Sequence, residues 1–90
     1  MTEKENQLFA RTTLVVAQHA DMIPEIQKEL ERMVTFDASE LGFYITKITH
    51  EVTDQEEVDE QTGKIYEYKL ITARGYGSRL ITEWERIIQS

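Results

Sequence analysis

Ninety residues carry 17 acidic side chains against 10 basic ones, a formal net charge of −7, with two histidines and no cysteine. With 40% apolar and 30% charged residues, the composition fits one small folded domain spanning 1–90, with a modest core. It excludes disulfides, thiolate metal sites and thiol nucleophiles, holds no apolar run near the roughly 18 residues of a membrane span, and opposes direct contact with nucleic acid or anionic membranes.

Residues 1–7 are polar and acidic and read as a frayed start. They lack the basic and apolar regions of a signal peptide, so the cytoplasm is the expected location. Next comes a stretch centred on Thr12-Thr13-Leu14-Val15-Val16, β-branched apart from one Leu. Such side chains lose freedom in a helix and fit a pleated surface, which predicts a strand over about 10–18. Helix is the competing reading, because Leu8, Thr12, Val15 and His19 also share a helical face.

Asp21 is a candidate helix cap and Pro24 suits a first turn, where a missing N–H costs nothing. Ile23, Ile26, Leu30 and Met33 then recur at spacings of three and four, predicting an amphipathic helix over about 22–34. Asp37-Ala38-Ser39-Glu40 resembles a capping box, and Gly42 would end the short turn it starts.

Residues 43–53 and 64–74 are rich in β-branched and aromatic side chains and read as two strands. The polar connector 54–63 ends in Thr-Gly, suiting a hairpin loop. Gly75-Tyr76-Gly77 reads as a break, with Ser78 capping a last helix whose stripe is Leu80, Ile81, Trp84, Ile87 and Ile88. The order is β-α-β-β-α. The right-handed crossover rule sets the first two strands parallel with the third between them, antiparallel to both. The expected fold class is α+β: a two-layer sandwich with two helices on one face of a three-stranded antiparallel sheet, ferredoxin-like but lacking the last strand.

Side chains alternate along a strand, so parity separates the faces. The uncharged sets Tyr44, Thr46, Ile48, His50, Val52 and Tyr66, Tyr68, Leu70, Thr72 are expected to face the helices. The hairpin register that opposes Glu51 with Lys69 is favoured, because opposite charges across strands attract. Phe43, Ile45, Ile65 and Ile71 would then form an outward apolar patch with a charged rim, the usual mark of a protein contact. The outer edge of the first strand has no proline and little charge, a second invitation to association.

Three further sets of residues weigh as sites. Arg74, Gly75, Gly77, Ser78 and Arg79 would place backbone N–H groups and two arginines at a helix start, where an anion or phosphate could sit. Their spacing matches neither dinucleotide nor P-loop patterns, and an ordinary turn explains them as well. Glu51, Asp54, Glu56, Glu57, Asp59 and Glu60 crowd into ten residues without a base. They lack the EF-hand spacing for calcium, and form either a solvated hairpin loop or a mimic of nucleic-acid phosphates for a basic groove on another protein. His19 and His50 stand in no metal-ligand spacing, and each is better explained as a structural, hydrogen-bonded histidine. No nucleophile motif occurs, and no cofactor or metal is implied. The expected function is a small non-catalytic protein–protein interaction or regulatory module whose partner is another protein, most simply a second copy in a homodimer. The alternatives are an acidic inhibitor acting through 51–60 and a small-anion binder or enzyme at 74–79.

Overall fold

The computed structural model describes residues 3–81, in the order β1 (Glu3–Val16), α1 (Ile23–Glu40), β2 (Tyr44–Val58) and β3 (Ile65–Ile81), with a 3₁₀ segment Ala17–Met22 leading into the helix. The sheet order is β1-β3-β2, and β3 runs antiparallel to both neighbours, as expected. Among the described residues one helix, not two, packs on the sheet, so the expected β-α-β-β-α sandwich is corrected to β-α-β-β. Ser78 is a strand residue, as are Leu80 and Ile81 of the expected last helix. The rest of that helix falls on 82–90, outside the described residues.

β3 does not break at its glycines. It runs straight through Gly75-Tyr76-Gly77, and neither glycine has a positive φ. Its prolongation supplies partners for the chain start, with Gln7 opposite Gly77 and Glu3 opposite Ile81. Residues 3–7, expected to fray, therefore lie in β1.

The helix also runs longer than its sequence signals suggest. Pro24 lies in the first turn as expected, but Met22, not Asp21, is the N-cap. Residues 37–40 are its last turn rather than a new one. Gly42 (φ 81°) ends it: the Phe43 N–H donates to the Ala38 carbonyl at 2.9 Å and the Gly42 N–H to that of Ser39 at 3.0 Å, a Schellman closure that favours glycine. The buried stripe is Leu30, Val34 and Ala38, with Ile23 and Ile26 partly buried, while Met33 stays exposed.

The core lies between α1 and the sheet: Phe9 and Val15 of β1, Ile71 and Ala73 of β3, Phe43, and the helix stripe. A β-bulge decides which residues of β2 join it. The register slips between Ile45 and Lys47, leaving Thr46 unopposed, its hydroxyl donating to the Tyr76 carbonyl at 3.0 Å. One inserted residue inverts parity. Phe43 and Ile45 thus point to the helix before the bulge, and Ile48, His50 and Val52 after it. The register beyond the bulge opposes Lys69 with Asp54 and Glu51 with Thr72, replacing the expected Glu51–Lys69 pairing.

On β3 the helix-facing set is Ile71, Ala73, Gly75 and Gly77, the last three small residues that admit a close approach. A Cβ on Gly75 would collide with Val34 Cγ1, and one on Gly77 would meet Phe9 Cε2 at 2.9 Å. The Phe9 and Phe43 rings meet edge to face, centroids 5.4 Å apart. These glycines are spacers beneath bulky neighbours rather than turn residues. Tyr66, Tyr68, Leu70 and Thr72, expected inside, lie on the opposite face.

Candidate functional site

The sheet has a face that no described element covers. Its residues are the even positions of β1 and β3, the odd positions of β2 beyond the bulge, and Tyr44 before it. Leu14 is 60% exposed, Leu8 and Tyr44 53%, and Tyr66 and Leu80 52%. Cross-strand rows give the face its pattern. Toward one end lie Leu8, Tyr76 and Lys47 in a row, the Lys47 ammonium 5.9 Å from the Tyr76 ring centre. Toward the other lie Leu14 with Leu70, then Val16 with Tyr68, then Tyr66. This end opens into a shallow groove of about 520 Å³ shared by Leu14, Val16, Ile65, Tyr66 and Tyr68.

Between the two apolar ends is a polar waist. The Thr12 and Thr72 hydroxyls share a hydrogen bond at 2.9 Å, and Arg74 Nη1 donates to Glu51 Oε2 at 2.7 Å. Charge is mixed on this face, three bases to two acids: Lys4, Lys47 and Arg74 stand against Glu51 and Glu57. Tyr68 donates to Glu57 Oε1 at 3.3 Å, and its pKa is raised by partial burial and then by the nearby Glu57 charge. The molecule's net negative charge is therefore carried elsewhere.

The four residues expected to form the contact patch are separated by the fold. Ile71 is fully buried and Phe43 nearly so, and Ile45 packs against the core; Ile65 alone is well exposed. The bulge and the true hairpin register carry Phe43, Ile45 and Ile71 under α1. The sheet does present an apolar outer surface, built from other residues. Tyrosine's polar tip lets it stand at a wet surface, and β3 carries Tyr66, Tyr68 and Tyr76 on this one face at strand spacing. That alternation was the available signal.

The six acids of 51–60 do not form one loop. Glu51, Asp54, Glu56 and Glu57 lie in β2, and only Asp59 and Glu60 belong to the turn, which Gly63 (φ 72°) closes through its N–H to the Asp59 carbonyl. Four of the six have internal partners: Glu51 with Arg74, Asp54 with Lys69, Glu57 with Tyr68, and Asp59 with the Gln61 N–H. The glycine motif likewise lies within a strand. Arg74 is paired with Glu51, and Arg79 holds Glu5 at 2.6 Å and lies 5.2 Å from the Phe43 ring centre. The helix start that an anion site there requires is absent among the described residues.

His50, on the helix side of β2, meets Glu31 of α1 at 2.5 Å (Nε2–Oε1), which fits the structural reading; His19 is exposed in the 3₁₀ segment. Arg11 clasps Asp37 through two hydrogen bonds of 2.6 and 2.9 Å, tying β1 to the end of the helix. That bond holds the Asp37 carboxyl below its ordinary range and raises the guanidinium. Among the described residues no cluster of three metal-ligating side chains occurs, and no helix is long and apolar enough to cross a membrane. Compared with family models, curated proteins and solved structures, the chain matches none.

Proposed function

We propose that this chain is a small protein-contact module without catalytic chemistry, and that it associates with a second copy of itself through the open face of its sheet. The observation that carries the reading is an exposed face with two apolar ends and a charge-balanced waist, on a molecule whose formal charge is −7. Most routes by which two such chains could meet oppose acidic surfaces; this face carries three basic and two acidic side chains, and its central Glu51 is held by Arg74. Its pattern also suits two-fold symmetry. A two-fold axis through the Thr12–Thr72 waist lays the Leu8–Tyr76 end of one copy on the Leu14–Tyr66 end of the other, as an isologous dimer requires.

Area supports the same reading. Three strands about 4.8 Å apart and about 46 Å long present a flat projection near 650 Å² before side-chain relief is counted. A standard interface buries about 800 Å² per partner. By contrast, an acidic surface for a basic groove has less to draw on, because four of the six acids in 51–60 already have internal partners.

The test is the double variant Leu14→Lys with Tyr66→Lys, both exposed and on opposite sides of the groove. It is expected to keep the wild-type circular dichroism spectrum and to run at a lower mass than the wild type by light scattering. A folded double variant that keeps the wild type's mass would overturn the assignment of the face.

A further inference from the structure

We propose a second homotypic contact: the outer edge of β1 pairs antiparallel with the same edge of another copy, about a two-fold axis at Leu8, joining two three-stranded sheets into one of six. The proposal rests on the self-association reading above and adds a separate surface to it.

The two sheet edges differ in what they permit. β2 is interrupted by the Thr46 bulge and carries Glu51, Asp54, Glu56 and Glu57. Bulges and charge are how edges resist pairing. β1 has no bulge, and its charges are of mixed sign rather than acidic. Its register with β3 is unbroken from Glu3 to Val16, it contains no proline, and its charges are confined to Glu3, Lys4, Glu5 and Arg11. Among the described residues, only β3 pairs with it.

Those charges choose the register. For the helix-covered sides of both sheets to match, opposed residues must share parity, so the axis must fall on a residue. Centring on Leu8 sets Arg11 opposite Glu5 of the second copy, twice by symmetry. It also sets Lys4 opposite Thr12, Glu3 opposite Thr13 and Leu8 opposite itself, with no like charges facing. Centring on Gln7 puts Arg11 opposite Glu3 but shortens the overlap, and centring on Phe9 leaves Arg11 without an acid.

The pairing also extends contacts already present. Asp37 holds Arg11 and Arg79 holds Glu5, so the joint creates a row of alternating sign: Asp37, Arg11, then Glu5 and Arg79 of the second copy. On the other side of the merged sheet, the open face doubles in width.

The chain has no cysteine, so single thiols report the geometry directly. Glu3→Cys and Thr13→Cys variants are made separately and mixed under mild oxidation. Directly opposed residues have Cα atoms about 4.5–5.5 Å apart, within disulfide reach. Glu3 and its own copy would be about 33 Å apart at strand rise. Both positions lie on the helix side, where stacking of open faces cannot bring them together. The expected result is a covalent heterodimer from the mixture and none from either variant alone, retained when both chains also carry Leu14→Lys and Tyr66→Lys.

No heterodimer from a mixture that still has dimeric mass overturns the edge pairing and leaves the face contact standing. No heterodimer and a monomeric wild type overturn both. Should either thiol variant fail to fold by circular dichroism, Lys4→Cys with Thr12→Cys, made in the Leu14→Lys and Tyr66→Lys background, reads the same register from the opposite side, and its silence would equally overturn the pairing.

Discussion

The two faces of β3 are built on opposite rules. Under the helix the strand presents Ile71, Ala73, Gly75 and Gly77, shrinking toward its end so that Val34, Phe9 and Phe43 can close on the backbone. On the other side the same stretch presents Leu70, Thr72, Arg74 and Tyr76, larger side chains with no element over them. Beyond Ile71, bulk on this strand thus marks the surface and smallness marks the core. Closeness of approach, not side-chain size, decides where apolar area is removed from water.

The comparison can be broken most forcefully by substituting neighbours on β3 and β1. Ile71→Ala, at a fully buried site, is expected to cost about 2–5 kcal/mol in urea unfolding. Leu14→Ala, measured at concentrations where the chain is monomeric, should stay within about 0.5 kcal/mol. Equal losses at the two positions would mean the open face is covered in solution. Gly75→Ala adds only a methyl group, but it collides with the Val34 side chain. A destabilisation of about 1–3 kcal/mol is expected from the overpacking. Val34→Ala in the same chain should recover part of it, which a double-mutant cycle would measure.

Smaller effects sharpen the contrast through pH. The Asp37 carboxyl is depressed by Arg11, so its contribution to stability is present above the ordinary carboxylate range and is lost as pH falls through the lowered value. Asp37→Asn should therefore flatten the acid side of the stability profile. Tyr68, on the open face, is shifted the other way. Its raised pKa contributes stability below the ordinary tyrosine value that disappears as pH climbs through the folded one. Tyr68→Phe should remove that alkaline decline and leave the acid limb unchanged. An acid limb unchanged by Asp37→Asn, or an alkaline limb unchanged by Tyr68→Phe, would show that the pair concerned adds nothing to folding.

Much of this was legible in the residues. The β-branched run Thr12–Val16, the spacing of Ile23, Ile26 and Leu30, and Thr-Gly at the hairpin each announce an element, and the crossover rule then fixes strand order. Two devices stayed hidden. The bulge at Thr46 inverts parity without any sequence mark, so simple alternation puts Phe43 and Ile45 on the wrong face. Gly75 and Gly77 read as breakers because local preference disfavours glycine in strands. Their reason lies in Val34, Phe9 and Phe43, each more than 30 positions away in the chain. Because the strand continues through the glycines, no helix begins at Ser78.

The central position of β3 sets the order of assembly. β2 and β3 form a hairpin through local contacts, whereas β1 pairs residues about 50–80 positions distant and must wait for the end of β3 to exist. During synthesis the helix would emerge with nothing to sit on, and β1 would remain unpaired longest. Closing that long loop is the slow step the topology imposes. Until it closes, both edges of the hairpin stay open to other chains.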